Sequence, residues 1–83
     1  MEVTPEISGA FAPGPEKIRS VRLTYRNGGE VNGTIRRLRL SPFKLVLQKI
    51  DPAAGERARH KAVFDHVTVL EIIYTDGLVK KFP

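Results

Sequence analysis

Arg36, Arg37 and Arg39 crowd three guanidinium groups into four positions of the stretch "GTIRRLRL". A guanidinium is a permanently charged planar fork that grips phosphate or carboxylate oxygens in pairs. Further bases surround them. Lys17, Arg19, Arg22, Arg26, Lys44 and Lys49 share the span 17–49 with a single acid, Glu30, and "RARHK" follows at 57–61. The net charge of +5 is therefore concentrated, since residues 1–16 carry Glu2, Glu6 and Glu16 and no base. Such polarity points to a polyanionic partner, either RNA or the acidic face of a protein. The candidate contact residues are Arg22, Arg26, Arg36, Arg37, Arg39, Lys44, Arg59 and Lys61. The competing reading is a solvated outer face whose arginine stems merely cover apolar neighbours.

Other chemistries find little support. The chain has no cysteine, which removes disulfides and thiolate metal sites, and its two histidines, His60 and His66, are too few for a zinc site of three or four ligands. Ser20, Ser41 and Thr68 belong to no nucleophile elbow or triad pattern. The expectation is a binding protein without catalytic residues, metal or cofactor. The opening residues lack a basic segment followed by an apolar one, so no signal peptide is expected, and no apolar run approaches the ~20 residues that span a bilayer. These features lead to an expected cytoplasmic location.

The elements that would carry the bases have a period of two. Val21, Leu23 and Tyr25 alternate with Arg22, Thr24 and Arg26, which predicts a half-buried strand over 18–26. "NGGE" supplies a tight turn, and a second strand is expected over 31–40. Its apolar parity passes from Val31, Gly33 and Ile35 to Leu38 and Leu40, a slip at Arg36–Arg37 that predicts a β-bulge. Strands are also expected over 43–50, with Phe43, Leu45 and Leu47 inward, and over 57–64, with His60, Ala62 and Phe64 inward. "DPAAGE" lies between these as a loop. "VTVLEIIY" (67–74) is apolar on both faces, and the Asp-Gly of "TDGL" turns it back into a short strand "LVKKF". Tyr25 shares the face of Val21 and Leu23, which reads as core, with base stacking beside Arg26 as the other use of its ring.

The expected fold is all-β, a small, strongly bent barrel of five or six strands over 17–83. Before it stands an irregular proline-rich tail over 1–16, with room for one helical turn around 5–10. Its Ile7 and Phe11 are able to dock on the domain.

"VRLTYRNGGEVNGTIRRLRLSPFKLVLQKI", followed by "HKAVFDHVTVLEII", resembles the Sm-like fold, including its bacterial Hfq-type members. The likeness spans about residues 17–74 and rests on the glycine and aliphatic pair Gly33 and Ile35, the apolar third strand and the closing strand pair. The family's N-terminal helix is replaced here by the proline-rich segment. The resemblance implies a bent barrel, RNA as ligand and a homo-oligomer closed by strand addition. Arg22 and Arg26 are also spaced like the R-x-x-x-R of cyclic-dinucleotide-binding PilZ domains, although the companion D/N-x-S-x-x-G motif is absent. The expected function is RNA binding through the arginine-rich strand and the basic loops. The rival is a protein-interaction or oligomerisation domain using an open strand edge and a basic face.

Overall fold

Alternation of apolar and polar residues becomes strand wherever turn chemistry frames it. In a computed structural model describing residues 1–50 and 58–83, six strands follow in chain order: β1 (Ile18–Tyr25), β2 (Glu30–Leu40), β3 (Phe43–Lys49), β4 (Arg59–Lys61), β5 (Val67–Tyr74) and β6 (Val79–Phe82). The expected loop "DPAAGE" and Arg57 lie outside the described residues.

Two hairpin turns are built alike. Gly28 and Gly77 take φ of 86° and 92°, which favours glycine. In each turn the preceding side chain, Asn27 or Asp76, accepts a backbone N–H two residues on, at 2.8 and 2.9 Å respectively. The β2–β3 turn contains a cis Ser41–Pro42 peptide bond.

The strands form one antiparallel sheet in the order β4-β3-β2-β1-β5-β6. The expected all-β sheet of six strands is present, and it is not closed into a barrel by strand pairing, since β4 and β6 stand at opposite ends of the order. Strand β4 is three residues long, against the expected 57–64. After Ala62 donates to the Leu45 carbonyl, the chain leaves β3, turns through a 3-10 segment at Phe64–His66 and enters β5. The inner face is closed by side chains and a helix rather than by a backbone ladder.

That helix extends the single turn for which the sequence left room around 5–10. Residues Pro5–Phe11 form α1, within a segment expected to be otherwise irregular. Thr4 caps it by accepting the Ile7 N–H, and Pro5 occupies the first turn, where its missing donor costs nothing. Ile7, Ala10 and Phe11 are buried with Val21, Leu23, Leu45, Leu47, Leu70 and Ile72. Phe11, Phe43 and Phe64 make a run of tilted and edge-on rings with centroids 5.4 and 5.3 Å apart. Tyr74 donates its hydroxyl to the Ala10 carbonyl, tying α1 to β5. Burial, and then the Asp76 carboxylate, push the Tyr74 pKa up, which keeps that donor protonated.

Candidate nucleic-acid interface

The register of β2 against β3 decides where the arginines go. Ile35 pairs with Leu47 and Arg37 with Val46, so Arg36 is one residue too many. The parity slip seen in the sequence is thus a bulge. Without it, Arg36 and Arg37 would face opposite sides of the sheet. With it, Arg36, Arg37, Val46 and Arg59 line one shallow depression of about 220 Å³.

Leu45 and Leu47 fill the core, which turns Lys44, Val46 and Gln48 outward. Arg39 pairs with Lys44; Arg37 with Val46, and Val46 with Lys61; Gln48 with Arg59. The outer face of β2–β3–β4 therefore collects Arg36, Arg37, Arg39, Lys44, Arg59 and Lys61. Same-face residues along each strand recur about every 7 Å. Among the described residues, the acid on these three strands is Glu30, at the opposite end of β2. Arg36, Arg37, Arg39, Arg59 and Lys61 are exposed, and Lys44 is half-buried.

The two remaining candidates are elsewhere. Arg22 lies on β1 between Asn32 and Glu71, so a carboxylate faces it across the sheet. Arg26, just past β1, donates from its backbone to His66 (2.9 Å) and from Nη2 to the Asp65 carbonyl. The candidate set thus divides into six residues on one face and two off it.

A second feature joins Arg26 to residues outside the candidate set. Tyr25, Arg26, Asn27, His60, Val63 and His66 line a cleft of about 350 Å³ between the β1–β2 turn and the β4–β5 connection. The Tyr25 hydroxyl accepts the Val63 N–H (3.3 Å) and stands 2.5 Å from His60 Nε2. The two rings meet edge-on, centroids 5.5 Å apart at 74°. Burial, helped by the nearby Lys49 charge, lowers the His60 pKa below its usual 6.5. A neutral imidazole leaves Nε2 able to accept the Tyr25 proton. The inward parity of His60 was legible in the sequence, but its partner lies 35 residues away, and no local pattern announces the pair.

This burial has a pH consequence. The unfolded chain protonates its histidine near pH 6.5, before the folded one does, so the unfolded state binds more protons in that window. The His60 contribution is complete above about pH 6.5 and is lost as pH falls toward the lowered folded pKa. Urea midpoints should therefore fall between pH 7.5 and 5, and His60→Gln should flatten that fall. An equal fall in the variant would remove His60 as its source.

Among the described residues, no group of three or more His, Asp or Glu side chains is placed to hold a metal ion, and no helix is long and apolar enough to cross a membrane. Comparison with protein-family models, with curated proteins and with solved structures returned no match.

Proposed function

We propose that this chain is a non-enzymatic binding module for nucleic acid, RNA foremost, whose interface is the outer face of β2–β3–β4. One observation carries the reading: the bulge at Arg36 turns adjacent arginines to the same side and sets them beside Arg37's sheet neighbours and Arg59. Holding that many guanidinium and ammonium groups together, with no acid beside them among the described residues of these strands, is electrostatically unfavourable unless an anion compensates them. A phosphate backbone supplies charge at regular intervals, and Val46, between Arg37 and Lys61, adds a half-buried apolar spot. The succession β4-β3-β2-β1-β5 and the curl that brings Tyr25 to His60 support reading the sheet as an Sm-like one, closed by side chains.

The test is fluorescence anisotropy with a labelled single-stranded RNA of mixed sequence over a range of salt. Replacing Arg36, Arg37 and Arg39 together by glutamine should leave the fold intact, as exposed substitutions usually shift stability by within about 0.5 kcal/mol. It should weaken binding to unrelated sequences alike and reduce the log–log salt slope by roughly two units, at ~0.7 per lost contact. A folded triple variant with unchanged affinity would return the arginines to the status of a wet sheet face.

A protein partner is favoured by the open edge of β6 and the turn before it, where Val79 and Leu78 are 51% and 54% exposed. Both open edges carry cations, Arg59 and Lys61 on one, Lys80 and Lys81 on the other. An acidic strand complements either edge better than a second copy of the chain does, because like charges set opposite each other destabilise a pair. Binding by such a strand would bury apolar surface and depend less steeply on salt than phosphate contacts do.

A further inference from the structure

We infer that the cleft between the β1–β2 turn and the β4–β5 connection receives a single nucleobase of the strand held on the basic face, with Arg26 meeting the attached phosphate. This rests on the nucleic-acid reading above and extends it from backbone contact to base contact.

The cleft's chemistry selects that occupant. Its volume of about 350 Å³ stands near the lower end of the ~300–1,000 Å³ usual for small-ligand sites, suited to one nucleoside and too small for a larger cofactor. The lining of Tyr25, Arg26, Asn27, His60, Val63 and His66 contains three rings and a guanidinium and no carboxylate. Ring faces and guanidinium planes are the surfaces on which unstacked bases settle.

The cleft is also preorganised. Tyr25 Oη and His60 Nε2 are spent on each other, and Tyr25 Oη also takes the Val63 N–H, which fixes both rings at the wall of the cleft. Asn27 Oδ1 is committed to the Gly29 N–H, so its amide donors remain for an acceptor on a base. Arg26 is anchored by one Nη2 contact to the Asp65 carbonyl and keeps further N–H groups of its fork. Val63, 46% exposed, gives the cleft an apolar wall.

Strand β4 joins the cleft to the basic face. Its three residues alternate, Arg59 and Lys61 outward and His60 inward, and it is an outer strand of the sheet. A strand crossing that free edge meets cations on one side and the Tyr25–His60 pair on the other.

The experiment compares two labelled single-stranded oligonucleotides of equal length, one intact and one whose bases are replaced by abasic tetrahydrofuran units. Both carry the same phosphates. The intact strand is expected to bind roughly 5- to 150-fold tighter, the equivalent of one stacked base, with the same salt slope. The ring proton signals of His60 and His66 should shift with the intact strand and stay still with the abasic one. Arg26→Gln should lower the salt slope by about 0.7. Equal affinities, or histidine signals unmoved by an intact strand that binds, would overturn the cleft while leaving the basic face standing. Failure of the unaltered protein to bind either strand at low salt would overturn both.

Discussion

Replacing Phe11 by alanine should cost about 3–5 kcal/mol of stability, the usual loss for a buried phenylalanine. A domain of 83 residues has only roughly 4–12 kcal/mol to lose. The variant should therefore unfold at a much lower urea concentration, with a native fraction reduced even without denaturant. Phe11 has no exposed surface, and its ring is tilted at 60° against Phe43. Helix α1 is seven residues long, well below the ~12–15 at which an isolated helix persists in water, so its conformation depends on this docking. Gly9→Ala is the control. A methyl there meets nothing within 4 Å, and alanine favours helix over glycine by up to about 1 kcal/mol. That variant should be slightly more stable than the original chain. A Phe11→Ala midpoint matching the original would detach residues 1–11 from the core.

Gly33→Ala should be the most damaging small change in the sheet. An added Cβ would stand 2.5 Å from the Gln48 carbonyl oxygen and 3.1 Å from Leu47 Cβ. The oxygen belongs to the backbone of the strand paired with Gly33, so relief requires β2 and β3 to separate. A loss of about 1–3 kcal/mol is expected from such overpacking, and more with valine. Because Gly33 lies three positions before the bulged Arg36, a separation there should also disturb the arginine cluster. Thermal unfolding together with RNA affinity would read both effects. An alanine variant of unchanged stability would mean the strands part easily at this point, and the close approach would no longer explain the glycine.

What could be read from residues alone follows from where the information is stored. Alternation and turn residues are local, and β1, β3, β5 and the two glycine turns were foreseeable to within a residue or two. The bulge was legible too, because moving Ile35 and Leu38 to one face requires an extra residue between them. Helix α1 was legible only as room for a single turn around 5–10. Its signal is one capping threonine and the Ile7–Phe11 spacing, surrounded by prolines and glycines that argue for irregular chain. The shortness of β4 reflects a competition the sequence does not display, since Val63 gives its N–H to Tyr25 and not to a strand partner. The cleft depends on the same long-range meeting. Of the basic residues, parity placed Arg37, Arg39, Arg59 and Lys61 correctly, while the separate surroundings of Arg22 and Arg26 required the order of strands.

Helix α1 also sets a timetable for synthesis. It is translated before every strand it packs against, and its site is incomplete until β5 exists, because its partners include Leu70 and Ile72 and the hydroxyl of Tyr74 as well as residues of β1 and β3. At ~5–20 residues per second, the ribosome needs several seconds to make the roughly 60 residues in between. Throughout that interval Ile7 and Phe11 lack part of their cover, on a segment too short to hold a helix by itself. The hairpin of β1 and β2 can assemble meanwhile, since its pairing is local. The helix is thus made before the strand that completes its seat, and its full docking waits on β5.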